Sequence, residues 1–258
     1  MLADLLAGAL EDASSRRAIR SLSEVEAAAL ARPPAIDALA ALAPTGRVRI
    51  IAEVKRASPS RGSLAAIADP AALASSFETG GASAISVLTE GRKFGGSLAD
   101  LDAVRDAVSV PVLRKDFIAD PYQVFEARAA GADMALLIVA ALDQATLRSL
   151  YSLIGELGMT ALVEAHTADE LERALEIGAS LVGVNARDLT TFELDQELFG
   201  TLAGRIPSGV IRVAESAVKT AADVAHYRRA GADVVLVGEA LVTGGDPVHT
   251  LREFLEAS

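Results

Sequence analysis

The chain contains no cysteine and only three histidines, and aromatic side chains make up just 4% of its 258 residues. Without cysteine there can be no disulfide, no thiolate metal ligand and no thiol nucleophile. His166, His226 and His249 fall in no metal-ligand spacing. Long apolar runs are also missing: 51% of the residues are hydrophobic, yet Gly, Asp or Arg interrupts every run well before the roughly 20 residues a membrane span requires. A basic surplus is absent too. With 24 Lys and Arg against 35 Asp and Glu the formal charge is −11, which disfavours nucleic acid or an anionic membrane surface as partner. The N-terminus lacks the basic leading segment of a signal peptide and carries Asp4 and Glu11 among its leucines, so an amphipathic helix is expected there. These absences describe a soluble, cytoplasmic chain in which any anionic ligand needs a local cluster of cations.

What the sequence does have is a repeat. Gly81-Ala82-Ser83, Gly131-Ala132-Asp133, Gly178-Ala179-Ser180 and Gly231-Ala232-Asp233 each close a helical pattern and open an apolar run, at spacings of 50, 47 and 53 residues. Glycine just past a helix caps it by entering the left-handed conformation without penalty, so the phrase marks helix-to-strand junctions. Further strand-like runs cover Arg47 to Val54, Pro111 to Arg114, Met159 to Val163 and Gly209 to Val213. Helix starts are signalled by Asp69-Pro70, Asp120-Pro121 and Asp246-Pro247, by a capping box of Thr167 with Glu170, and by a weaker one of Ser97 with Asp100. Eight short apolar strands alternating with helices predict a closed parallel (β/α)8 barrel, a fold that commonly fills about 250 residues as one domain. An open doubly wound sheet is disfavoured, because no Gly-rich phosphate turn follows the first strand. Residues 1–46 are expected as an N-terminal helical extension on the barrel within a single domain, with helical patterns near 2–18, 22–31 and 35–42 broken at Pro33-Pro34.

In such a barrel the chemistry gathers at the carboxyl ends of the strands. Seven of the eight predicted strands end on polar groups: Glu53 and Lys55, Thr89-Glu90, Lys115-Asp116, Glu164, Asn185 with Arg187, Glu215-Ser216, and Gly238-Glu239. Alternation along a strand places Glu53 and Lys55 on one face with Ile51, so both charges are expected to point into the mouth. Any one of these groups is commonly an exposed loop residue or half of a structural ion pair. A ring of them suits binding of an anion and proton exchange with it. Lys115, beside apolar neighbours and other cations, is expected to lose part of its preference for the charged form. Glu164 is expected to be raised by partial burial. The small-residue turns "VAESA" and "VLVGEA" after the last two strands occupy the usual phosphate-binding position of the fold.

Several motifs together resemble the indole-3-glycerol phosphate synthase family: Glu53-Val54-Lys55 with Ser58-Pro59-Ser60 and Gly62, Leu113-Arg114-Lys115-Asp116-Phe117, Leu162-Val163-Glu164, Gly183-Val184-Asn185 with Arg187 and Leu189, and Ala214-Glu215-Ser216. The resemblance runs over nearly the whole chain. It implies the ring closure of 1-(2-carboxyphenylamino)-1-deoxyribulose 5-phosphate to indole-3-glycerol phosphate, with loss of carbon dioxide and water and with no metal or organic cofactor. It implies Lys115 as general acid and Glu164 as general base. Lys55 is implied to bind the substrate anion and share the proton work, and Glu53, Asn185 and Glu215 to bond the sugar-derived chain and the lysines. Arg187 is implied near the departing carboxylate. Ser58 belongs to the substrate-binding set, while Pro59, Phe94, Phe117, Leu136 and Leu189 match positions around the anthranilate ring. Ser216, Ala217, Gly238 and Glu239 occupy the phosphate-loop positions.

Two departures stand out. Ala217 replaces the glycine the family usually has there, and is expected to keep a negative φ. Glu239 would have to turn away from a bound phosphate. An isomerase of a related phosphorylated aminated ribulose is a rival, but it would use Asp or Cys where this chain has Lys115 and Glu164. A non-catalytic barrel would be expected to have lost part of the charged ring. The implied partner is a small phosphorylated molecule, with the chain a monomer or weak homo-oligomer. The chain ends soon after the eighth helix, so no fused second enzyme is expected.

Overall fold

Each of the eight apolar runs forms a parallel strand, and the strands close on themselves in sequence order. They are β1 (Arg49–Val54), β2 (Ala84–Leu88), β3 (Val112–Lys115), β4 (Met134–Ile138), β5 (Thr160–Ala165), β6 (Leu181–Asn185), β7 (Ile211–Glu215) and β8 (Val234–Val237). This computed structural model describes residues 1–188 and 193–257. β1 pairs with both β2 and β8, which completes the ring. A small hairpin, Ala57–Ser58 against Gly62–Ser63, rises from the loop after β1.

Most strands run slightly further than their apolar letters suggest. Lys115, Glu164 and Glu215 sit inside the hydrogen-bonded ladder, in register with Leu88, Ile138 and Asn185. The backbone ladder does not depend on side-chain polarity. It continues through these residues, and it is their side chains that leave the apolar interior for the mouth.

The helices are α1 (Leu2–Ile19), α2 (Leu22–Leu30), α3 (Ala38–Leu42), α4 (Pro70–Gly80), α5 (Leu98–Ala107), α6 (Pro121–Ala129), α7 (Gln144–Glu156), α8 (Ala168–Glu176), α9 (Leu198–Ala203), α10 (Ala221–Arg229), α11 (Glu239–Thr243) and α12 (Pro247–Glu256). Asp69, Asp120 and Asp246 cap α4, α6 and α12 by accepting from the backbone N–H groups of Ala72, Tyr122 and His249. The four repeated glycines, Gly81, Gly131, Gly178 and Gly231, all take a positive φ, as the repeat predicts. The capping box expected at α8 is half formed. Thr167 accepts from Glu170 N, whereas the Glu170 carboxylate reaches past Thr167 to accept from His166 N at 2.8 Å.

One core lies between the sheet and its surrounding helices, and a second fills the barrel with Ile51, Leu113, Met134, Leu162, Val213 and Val234. The N-terminal helices join the second core: Leu5 and Ala9 of α1 and Ala38 and Leu42 of α3 pack into the same cluster as these strand residues. Ion pairs add to that seat. Arg16 of α1 grips Glu126 of α6 with two bonds of 2.6 and 2.8 Å, and Arg92, in the loop after β2, bridges Glu11 and Asp12. α3 starts at Ala38, later than the pattern near 35 suggests, because Asp37 caps it after Pro33-Pro34.

Candidate active site

At the carboxyl ends of the strands a single pocket is walled by Glu53, Lys55, Ser58, Pro59, Phe94, Lys115, Phe117, Leu136, Glu164, Asn185, Arg187, Glu215, Ser216, Ala217, Gly238 and Glu239. Every residue given a catalytic or substrate-binding place from the sequence is therefore brought to one mouth except Leu189, which lies outside the described residues. Glu53 and Lys55 both face inward, paired at 2.8 Å, and the Ser86 hydroxyl donates to Glu53 at 3.2 Å. The strand end Thr89-Glu90 does not join the ring. Thr89 donates to Asp116, and Glu90 is buried while accepting from the backbone N–H groups of Arg92, Lys93 and Phe94, so it shapes the loop that presents Phe94. Phe94 and Phe117 form a tilted pair with centroids 6.1 Å apart, one side of an apolar slot.

At the floor the Lys115 ammonium bonds to the Glu215 carboxylate and stands 3.3 Å from Glu164 Oε2. This corrects two expectations. Burial pulls the Lys115 pKa down, but Glu215, Glu164 and Glu53 more than reverse it, so Lys115 holds its proton more tightly than an ordinary lysine. Its neighbours are carboxylates, not the cations its sequence position suggests. Glu164 is pushed up by burial but pulled further down by Lys115 and His166, so its pKa is lowered, not raised. The raised carboxylate is Glu215. Burial outweighs the pull of Lys115, and the facing charge of Glu164 adds to it, pushing Glu215 up to about 8. Apart from the ion pair of Glu164 Oε2 with Lys115, Glu164 Oε2 and Glu215 Oε1 are buried without a hydrogen-bond partner among the described residues, and a single proton between the two carboxyls would satisfy both. Glu53 is raised by burial yet lowered overall by Lys55 and Lys115.

The rim at the ends of β6 and β7 is tied together by hydrogen bonds. Ser216 donates to Asn185 Oδ1 at 2.7 Å, and the same oxygen accepts from Arg187 N at 3.0 Å. Ser216 and Ala217 are both left-handed, with φ of 68° and 60°, so the negative φ expected of Ala217 is wrong. The backbone turn that glycine usually supplies is kept despite the Cβ, and such strain is typical of a binding loop. Glu239 turns to Arg61 of the hairpin at 3.1 Å. The pocket wall also includes Asp116, read from the sequence only as a polar strand end, and Ser60 and Lys219, which were not singled out as ligand groups. Ser86 was missed as well. It meets Glu53 as its register partner across β1 and β2, a relation no local pattern carries.

The sequence profile of the indole-3-glycerol phosphate synthase family matches residues 2–254. The chain belongs to the indole-3-glycerol phosphate synthase family. An indole-3-glycerol phosphate synthase of Leifsonia xyli is 75% identical over 254 residues, 98% of this chain and 97% of that one. The enzyme of Mycobacteroides abscessus is 58% identical over 257 residues, covering 100% of this chain and 94% of its own. Among solved structures the barrel superposes on 3-hexulose-6-phosphate synthase from Salmonella typhimurium with a TM-score of 0.66 at 16% identity, covering 81% of this chain and 98% of that one. Thiamine phosphate pyrophosphorylase from Pyrococcus furiosus gives 0.61 at 13% identity over 81% of this chain and 94% of the other. At that identity the likeness is one of fold. Indole-3-glycerol phosphate synthases are decarboxylating lyases of tryptophan biosynthesis.

Proposed function

We propose that the pocket carries out the family's ring closure on 1-(2-carboxyphenylamino)-1-deoxyribulose 5-phosphate with Lys115 as general acid and Glu164 as general base. The observation that carries this is the ion pair of those two residues, 3.3 Å apart at the floor, between an aromatic slot and a small-residue phosphate turn. The anthranilate ring lies against Phe94, Phe117, Pro59 and Leu136. The phosphate sits at Ser216, Ala217 and Gly238, and Lys55 and Arg187 face the substrate's negative groups. Held this way, the ring carbon that bears the carboxylate is next to the ketone carbon, and fixed proximity supplies much of the rate.

Lys115 Nζ gives its proton to the ketone oxygen as the carbon–carbon bond forms. Carbon dioxide then leaves with its bonding electrons returned to the ring. In the dehydration the hydroxyl takes a proton from Lys55 and departs as water, while Glu164 takes the proton from the neighbouring ring carbon, leaving the indole double bond. Asn185 and Glu215 orient the chain and the ammonium. Glu53 holds Lys55.

The absence of cysteine fits a cytoplasmic setting, and among the described residues no helix is long and apolar enough to cross a membrane. We take the chain to work as one domain, its N-terminal helices included, and as a monomer or weak homo-oligomer. The test is to incubate the purified protein with the carboxyphenylamino-deoxyribulose phosphate and follow indole fluorescence. Turnover that survives in Lys115→Ala would remove Lys115 from the acid role, and no turnover in the parent would remove the reaction.

A further inference from the structure

Behind Glu164, on the side away from Lys115, stands a histidine that the acid–base scheme does not use. His166 follows Glu164 by two residues at the end of β5, and its side chain is 7% exposed. Its Nε2 lies 3.4 Å from Glu164 Oε1 and its Nδ1 lies 3.3 Å from Glu170 Oε2. Glu170 is itself fixed, because the same Oε2 accepts from His166 N at 2.8 Å instead of completing a capping box. The ring is thus clamped between two carboxylates. With a single ring proton, the imidazole would point a lone pair at one of the two carboxylates, from Nε2 at Glu164 or from Nδ1 at Glu170, two acceptors face to face in a buried site. With both nitrogens protonated it becomes a cation between two anions, one donor toward each.

We propose that His166 is a positioning residue: as an imidazolium clamped by Glu170, it holds Glu164 ionised and oriented to act as the base. The proposal rests on Glu164 being that base. The charged groups facing the ring are Glu164 on β5, Glu170 on α8 and, more distant, Glu215 on β7, with Lys115 of β3 on the far side of Glu164. Burial favours the neutral ring, but Glu170 and Glu164 outweigh it, and His166 keeps its proton to a higher pH than a free histidine. The rate then falls as pH rises and His166 loses that proton, because Glu164 loses the neighbouring cation that holds it ionised and in place. A signal for this was present in the sequence: a histidine two residues beyond the strand-end glutamate, four before the glutamate that would otherwise close the helix cap.

The test uses the full chain and two independent readouts. Proton–nitrogen correlation spectra of the ring report the His166 titration directly, and kcat against pH reports its effect. In the parent, His166 should titrate above the ordinary value of about 6.5. Glu170→Gln, which lies outside the pocket, should lower that titration by about one pH unit and move the basic limb of kcat down with it, with KM little changed. His166→Gln keeps a donor without the charge, and should cost about tenfold in kcat, the scale of a partner that acts through a reacting group. If the parent ring titrates at or below its ordinary value, or the kcat profile of Glu170→Gln superimposes on the parent's, the clamp is overturned. Glu164→Gln separates the two ideas: full activity in that variant sinks the base assignment itself, whereas an inactive Glu164→Gln with an unshifted Glu170→Gln sinks only the clamp.

Discussion

Lys115 Nζ lies 3.3 Å from Glu164 Oε2, so the proposed acid and the proposed base form an ion pair with each other. In the proposed reaction the ketone and its neighbouring carbon come between them. A lysine whose proton is held this firmly is a weak acid until its carboxylate neighbours are engaged elsewhere. Binding of the substrate is therefore part of the catalytic device.

Removing the ammonium should affect activity and stability together. Lys115→Met leaves Glu53, Glu164 and Glu215 without their shared cation, and breaking a buried pair from one side costs about 3 kcal/mol. The carboxylates can answer by taking up protons, so the cost is expected to be smaller at pH 5.5 than at pH 8. Denaturant titrations at the two pH values measure it, and turnover should fall by about 10²- to 10⁴-fold at both. Equal destabilisation at the two pH values would mean that the carboxylates do not share Lys115.

Glu215 carries a pH dependence of its own. Its folded pKa of about 8 exceeds the ordinary 4.5, so the folded chain binds this proton more tightly than the unfolded chain. The stability it contributes is complete below the ordinary value and is lost as pH rises through about 8. Glu215→Gln removes that loss. Its stability relative to the parent should improve from pH 5 to about pH 8 and level off above it, as followed by thermal or urea unfolding, and a gap independent of pH would show that Glu215 is ionised throughout.

Gly183 offers a steric test. A Cβ built there falls 2.0 Å from Glu215 Oε1. Gly183→Ala must displace that carboxylate although the residue is not part of the pocket wall. The expected result is a loss in kcat similar in size to that of Glu215→Ala, with the two changes far from additive when combined. Independent, additive effects would show that Glu215 has room to move.

Ala217 should yield to its family's usual residue. With φ at 60° the alanine bears left-handed strain, worth about 1–2 kcal/mol for a residue with a Cβ, while glycine loses roughly 0.5–1 kcal/mol through the freedom of the unfolded chain. Ala217→Gly is therefore expected to stabilise by about 0.5–1 kcal/mol in equilibrium unfolding. A loss of stability would mean that the Cβ packs well enough to offset its strain.

The barrel was legible in the letters because its causes are local. Apolar runs of strand length, aspartates that cap helices and glycines that close them at Gly81, Gly131, Gly178 and Gly231 act over a few residues each, and they repeat. The polar strand ends could be read for the same reason, since alternation fixes which way Glu53 and Lys55 point. What the sequence could not determine was the electrostatics. Whether Lys115 meets cations or carboxylates depends on β3, β5 and β7 facing one another across the mouth, and residues 49 and 100 positions away along the chain decide it. Closure of the ring turned the expected lowered lysine into a tightly protonated one, moved the raised carboxylate from Glu164 to Glu215, and left His166 against the base, because charges act through space and the chain order does not reveal which of them will meet.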